Sequence, residues 1–197
     1  MASDLPLTKE NILDAAEQVL RRYGPDKTSV VDVARVLKVS HGTIYRHYPS
    51  KAALREAVTE RWLHTLSDPL ERIARETGGS ELQRLRHWYD TLIQNKRRYA
   101  VEDAEMFAMY AAVSAKPIPI ITEHIREMNE QIASILRRGM DSGEIAAGDP
   151  AITARALFNA TSYFHHPAHA AEWVNEEIDR YFDEVWTLLC HGLHGAL

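Results

Sequence analysis

Apolar residues recur at intervals of three and four through nearly the whole chain, and no run alternates with period two. That spacing predicts an all-α protein. A first helix is expected to open at Thr8, a hydroxyl suited to capping, and to carry Ile12, Ala16, Val19 and Tyr23 on one stripe until Gly24-Pro25-Asp26 stops it. A second is expected from Thr28, as its cap, through Val31, Ala34 and Leu37, and after a break at Lys38-Val39 a third opens at Ser40. Pro49-Ser50 closes that one, and a fourth begins with Leu54, Val58 and Trp62 inward.

Beyond about residue 66 the helices lengthen, with connections expected at 77–80, 114–120 and 141–150. Asp149-Pro150 pairs a cap with a proline at the first helical position and predicts a helix running to about His165. The last helix, expected from about Glu172, carries two apolar stripes. Val174, Ile178, Tyr181, Val185 and Leu188 form one; Trp173, Phe182, Trp186, Leu189 and Leu193 form the other. One stripe serves a surface helix, so two predict burial against a second partner as well.

The short third helix has a different character. At about 100° per residue, Ile44 and Tyr48 fall together and point inward, while Gly42, Thr43 and Arg46 occupy the opposite half. His41 and Tyr45 flank that half on one side and His47 on the other. Two packing residues behind a polar, cationic face suit a helix lying in a major groove, with a base-reading centre and phosphate-contacting edges. Gly42 fits this: glycine in a helix costs about 0.8–1 kcal/mol relative to alanine, which is understandable where a side chain would hold the backbone off a ligand surface. Helix, short turn, short helix is a helix-turn-helix, and this element would be its recognition helix.

The stretch TSVVDVARVLKVSHGTIYRHYPSKAAL, 28–54, closely resembles the DNA-binding signature of the TetR family of bacterial transcriptional regulators. The likeness rests on the threonine before the second helix, the DVA run, the Val-Ser turn, the Gly-Thr-apolar-Tyr run, the His-aromatic pair and the Ser-Lys opening helix four. It covers about 50 residues; the remainder is similar in its helical layout. One departure is the lack of an acidic residue at Ala52 or Ala53, which removes a capping-box partner for Ser50, a loss of about 0.5–1 kcal/mol. The resemblance implies phosphate contacts from Thr28, Ser40, Tyr45, His47 and Lys51, and base reading by His41, Gly42, Thr43 and Arg46. It further implies a DNA-binding domain over 1–52, an effector-binding and dimerisation domain over 53–197, and a homodimer formed through the last two helices. Such a dimer reads a near-palindromic double-stranded operator and responds to a small-molecule effector. Large side chains on the middle helices, Trp88, Tyr89, Leu92, Met106, Phe107, Tyr110, Met128 and Phe158, are the candidate pocket lining, with Glu105 and His124 as polar groups to orient a ligand.

Composition adjusts this picture in a few places. The net charge of −5 divides unevenly: 1–61 holds ten Lys or Arg against eight Asp or Glu, +2, and the rest holds 13 against 20, −7. The basic excess lies where DNA contacts are expected. With 197 residues, 45% apolar, there is ample material for a core, and the apolar runs fall far short of the roughly 20 residues needed to span a bilayer. The polar start MASDLPLTKEN is unlike a secretory signal, so a cytoplasmic protein without cofactor or membrane partner is expected. A single cysteine, Cys190, excludes an intramolecular disulfide. His165, His166 and His169, with His191 and His194 further on, raise the alternative of a small metal-dependent enzyme, but they lack recognised ligand spacing, no Glu-x-x-His pair or catalytic triad is legible, and no metal site is expected. The basic run 96–98 reads as a solvated helix end. An architectural DNA binder without an effector is the other alternative, favoured by a C-terminal part packed without a cavity.

Overall fold

The computed structural model describes residues 7–115 and 118–193, with backbone alone at 25 and 26. Among the described residues there are helices and no strands. Ten α-helices run α1 (Lys9–Lys27), α2 (Val30–Leu37), α3 (His41–His47), α4 (Lys51–Arg75), α5 (Glu81–Glu102), α6 (Ala104–Ser114), α7 (Pro119–Asp141), α8 (Pro150–Ala160), α9 (Ser162–His165) and α10 (Ile178–Leu193).

Local chemistry sets most of these boundaries. Thr8 and Asn11 form a reciprocal capping box on α1, Thr8 Oγ1 accepting from Asn11 N at 3.1 Å and Asn11 Oδ1 from Thr8 N at 3.2 Å. Gly24 interrupts α1 with φ of 78°, a left-handed conformation that glycine adopts without strain, and helical backbone then continues through Lys27. Ser50 caps α4 through Ala53 N at 3.0 Å without an acidic partner. Asp149 accepts from both Ala151 N and Ile152 N at the start of α8.

Other boundaries depart from the periodicity. Ser29, not Thr28, caps α2, accepting from Asp32 N at 3.2 Å, while the Thr28 hydroxyl donates back to Gly24 O at 2.8 Å. Helical backbone from Asp149 breaks at Thr161, whose buried hydroxyl donates to Leu157 O at 2.9 Å, so the segment to His165 is two helices. The last helix starts at Ile178 rather than Glu172; residues 172–174 form a single 3-10 turn. Its Trp173 is held by Nε1–H donating to Tyr163 O at 3.0 Å and by an edge contact with Phe107, which leaves Val174 at the surface, 85% exposed. Of the two stripes, Phe182, Trp186, Leu193 and Ile178 are buried, Tyr181, Val185 and Leu189 half-buried, and Leu188 exposed.

Two hydrophobic clusters result. One joins α1, α2 and α3 to the first half of α4 (Leu54, Val58, Trp62, Leu63, Leu66) and to α6 (Met106, Phe107, Met109, Tyr110). The other joins the second half of α4 (Leu70, Ile73, Ala74) to α5, α7, α8, α9 and α10. Helix α4 therefore belongs to both. Ion pairs reinforce the first cluster: Arg61 on α4 reaches Glu17 and Asp14 on α1, and Arg21 on α1 reaches Asp103 at the α5–α6 junction at 3.0 Å.

Candidate functional site

The turn between α2 and α3 is closed by Lys38 in the left-handed conformation, with Val39 N donating to Ala34 O at 3.0 Å. Ser40 then caps α3, accepting from Thr43 N at 3.2 Å, and its hydroxyl lies 2.9 Å from that of Thr43. Ile44 is fully buried and Tyr48 nearly so, as the wheel predicts. Burying a side chain of Ile44's size contributes about 1.5–3 kcal/mol, which fixes the rotation of a seven-residue helix too short to hold itself.

That rotation leaves Ser40, His41, Gly42, Tyr45, Arg46 and Lys51 exposed and Thr28, Thr43 and His47 half-buried. His41 packs edge-on to Tyr45 with ring centroids 6.2 Å apart. Arg46 Nη2 approaches Thr43 Oγ1 at 3.4 Å and has no carboxylate partner among the described residues. Carboxylates nearby are otherwise engaged: Asp32 accepts from Arg35 at 2.7 Å and from Ser29 at 2.5 Å. A Cβ built on Gly42 would meet Ser40 Oγ at 3.7 Å, an ordinary contact, so the folded chain itself has room for alanine there. The outward face is thus cationic and rich in donors, as a phosphate-lined groove requires.

The candidate pocket residues are placed differently. Trp88, Tyr89, Leu92, Met128 and Phe158 are packed in the second cluster, and Met106, Phe107 and Tyr110 in the first. Trp88 Nε1 donates to Gln131 Oε1 at 3.0 Å, and burial pushes the Tyr89 hydroxyl's pKa up. Glu105, expected to orient a ligand, is at the surface, its carboxylate beside Gly24. Of the ten, His124 alone lines a cleft of about 530 Å³ between α4 and α7, whose walls include Glu56, Glu60, His64, Glu123 and Glu127 over Leu63, Ile118 and Ile120. His124 is 4% exposed, and burial, with Lys96 and His64 adding to the effect, pushes its pKa down to about 3. A second cleft of about 390 Å³ shares Glu56 and Ile118 with the first and extends to Lys51.

Lys96 does not end in solvent as its basic run suggested. It is 2% exposed, donates to Tyr110 OH at 2.7 Å and lies 5.0 Å from that ring's centroid. Arg97, beside it, pairs with Asp179 on α10 at 2.5 Å. His165 is buried, with Nε2 3.2 Å from both Thr161 Oγ1 and Phe158 O, and burial holds its pKa well below the usual histidine value. Among the described residues no three His, Cys, Asp or Glu side chains converge as metal ligands; His194 lies outside them. No described helix is long and apolar enough to cross a membrane. Burial raises the pKa of the Cys190 thiol, disfavouring the reactive thiolate.

An all-helical fold whose N-terminal helix-turn-helix presents, on its pinned second helix, an arginine with no carboxylate partner among the described residues is that of a DNA-binding regulator. Family comparison agrees at both ends: residues 12–58 match the bacterial regulatory proteins of the tetR family, and residues 82–186 match the tetracyclin repressor-like C-terminal domain. The chain belongs to the TetR family of bacterial transcriptional regulators. It is 26% identical over 168 residues to the uncharacterised HTH-type transcriptional regulator YvkB of Bacillus subtilis, covering 85% of this chain and 86% of that one. Its fold is similar to SmeT, the repressor of the Stenotrophomonas maltophilia multidrug efflux pump SmeDEF, with a TM-score of 0.69, 22% identity and coverage of 97% and 92%. A Bacillus subtilis transcriptional regulator FadR solved in complex with stearoyl-CoA gives a TM-score of 0.67 at 19% identity, covering 95% of this chain and all of that one.

Proposed function

We propose that the protein is a dimeric, effector-responsive repressor that reads a near-palindromic operator, with residues 1–52 engaging DNA and 53–197 binding the effector and forming the dimer. The observation that carries this reading is α3, where Ile44 and Tyr48 are buried and the opposite face, Gly42, Thr43 and Arg46, meets no carboxylate of the chain among the described residues. In this reading Arg46 reaches a guanine edge, with Thr43, His41 and the bare backbone at Gly42 reading beside it. Thr28, Ser40, Tyr45, His47 and Lys51 hold phosphates along the edges.

Two half-sites about 34–36 Å apart, or a multiple of that, require two copies related by a two-fold axis. Exposed apolar side chains on the last helices, Ile152 on α8 and Leu188 on α10, support a dimer through that end of the chain. Effector control is supported by the cleft against α4, the helix whose first residue, Lys51, is a phosphate contact in this reading. It is also supported by small molecules in structures of similar fold, stearoyl-CoA with FadR and triclosan with SmeT. An effector acts by binding two conformations unequally, one of which spaces the recognition helices for the operator.

Selection of bound sequences from a random DNA pool at near-physiological salt tests the reading. A near-palindromic motif is the expected result; a pool with no enriched motif overturns it.

A further inference from the structure

The cleft between α4 and α7 is built from two helical ladders of carboxylates. Glu56 and Glu60 stand one turn apart on α4, and Glu123 and Glu127 one turn apart on α7, all four lining the same space. Positions four apart on a helix are separated by about 6 Å along its axis, so each pair faces the cleft together. Of the four, Glu123 is neutralised by Arg126, whereas Glu56, Glu60 and Glu127 form no ion pair among the described residues. Like charges gathered around a shared hollow repel one another, and the field inside it favours positive charge. The floor is of another kind: Leu63 is buried and Ile118 and Ile120 half-buried, an apolar base beneath a charged rim.

The second, independent observation is His124. It lines this cleft while 4% exposed, and its Nε2 has no hydrogen-bond partner. A buried polar atom without a partner is costly unless something satisfies it. Burial and the nearby Lys96 keep this imidazole neutral at physiological pH, so it adds no positive charge to the hollow. The volume, about 530 Å³, falls in the range of sites for drug-sized molecules.

We propose that this cleft binds an organic cation with an apolar body, its charge held between Glu60 and Glu127 and its body resting on Leu63, Ile118 and Ile120. The proposal rests on the reading of the chain as an effector-responsive regulator and names the chemical class of the effector. Because Glu56 and Ile118 also line the cleft that reaches Lys51, a cation drawing α4 and α7 together acts on the helix that carries a phosphate contact. The rival ligand class, an organic anion, finds no lysine or arginine in the walls of this cleft; Lys51 and Arg55 line the adjoining one, and the buried Lys96 already donates to Tyr110.

The test is titration calorimetry of the full chain at about 0.15 M salt with tetraphenylphosphonium and with tetraphenylborate, two ions of nearly the same shape and opposite charge. The cation is expected to bind and the anion not, and the Glu60→Gln/Glu127→Gln variant, which keeps both side-chain shapes, is expected to bind the cation about tenfold more weakly with an unchanged melting curve. Comparable or tighter binding of the anion, binding of neither ion, or an undiminished affinity in the double variant overturns the proposal. Operator binding is measured on the same preparations. If the parent binds operator and saturating cation leaves that affinity unchanged, the cation is not its effector and the proposal fails while the regulator reading stands; if no operator is selected but the cation binds as expected, the regulator reading fails alone.

Discussion

Gly42 separates the demands of folding from those of binding. A Cβ there meets nothing closer than Ser40 Oγ, so Gly42→Ala is expected to leave the chain as stable as the parent or up to about 0.5 kcal/mol more so. Operator affinity should fall about tenfold, because the methyl group lifts the helix from the bases. Equal affinity in a mobility-shift titration would show that the bare backbone is not used. The neighbouring cations should divide by role: Arg46→Ala is expected to lose about 1–3 kcal/mol of discrimination at one base pair of each half-site. Lys51→Ala should weaken binding to all sequences and reduce the salt slope by about one per protomer. A salt series on operator and random duplexes distinguishes them. The rotation of α3 that underlies these proposed roles was legible in the sequence because a seven-residue helix with two apolar positions has only one way to face inward. The carboxylates of the cleft were not, since Glu56, Glu60, Glu123 and Glu127 read as ordinary solvated positions until α4 and α7 are brought together. Nor was Lys96, whose arginine neighbours on 97 and 98 suggest solvent.

His124 gives a residue-level prediction for pH. Its folded pKa of about 3 lies below the ordinary histidine value of 6.5, so between these limits the unfolded chain holds the extra proton. Its contribution to stability is fully present above pH 6.5 and is lost as pH falls toward 3, at up to about 1.4 kcal/mol per pH unit. His165, also held low by burial, acts in the same direction. Denaturant unfolding between pH 7.5 and 5 should show this decline, and His124→Gln should flatten it; an unchanged slope would place the imidazole in contact with water.

Among the elements, helix starts were legible wherever one hydroxyl or carboxylate stood alone before an apolar run, as at Thr8, Ser40, Ser50 and Asp149. Where two hydroxyls adjoin, at Thr28 and Ser29, the sequence pointed to the wrong one: Ser29 is the cap, because the Thr28 hydroxyl is engaged by Gly24 O. The break between α5 and α6 was hidden for a stronger reason: Asp103 is neither glycine nor proline, and it accepts from Arg21, 82 residues away, through both carboxylate oxygens. The start of α5 is likewise secured from a distance. Glu144 accepts from Glu81 N at 2.8 Å and Leu82 N at 3.0 Å and from the Ser80 hydroxyl. Burial opposes its charge, but these donors prevail and hold its pKa below the usual carboxylate value. Glu144→Ala is therefore expected to cost about 1–2 kcal/mol at neutral pH. Because the charged form is the one favoured by folding, that penalty should shrink as pH drops below about 4.5, which urea titrations at pH 7 and pH 3.5 would reveal.

For the molecule as a whole, the periodicity conveyed the all-helical class and an excess of apolar surface on the last helix, but not which surface remains uncovered. Leu188 is 73% exposed on α10, alongside half-buried Val185. Leu188→Glu should convert the proposed dimer to monomer in sedimentation equilibrium at micromolar concentration while leaving the helical circular dichroism intact. Operator affinity should fall with it, since a single half-site provides half the contacts. A dimer unaffected by this charge would place the two-fold axis elsewhere.

Helix α4 passes unbroken from one hydrophobic cluster into the other, and Pro69 lies within its second half. Proline supplies no N–H for the carbonyl four residues earlier, that of Thr65, so the rod is least braced there. From Pro69 to Lys51 is 18 residues, a radius of about 27 Å. A tilt of about 5° around that point sweeps Lys51 through roughly 2.4 Å. In a symmetric pair the arcs add, to about 5 Å against a half-site separation of 34–36 Å. A small closing movement of α4 toward α7 would thereby be geared up, in the proposed dimer, into a mismatch of more than one base-pair step.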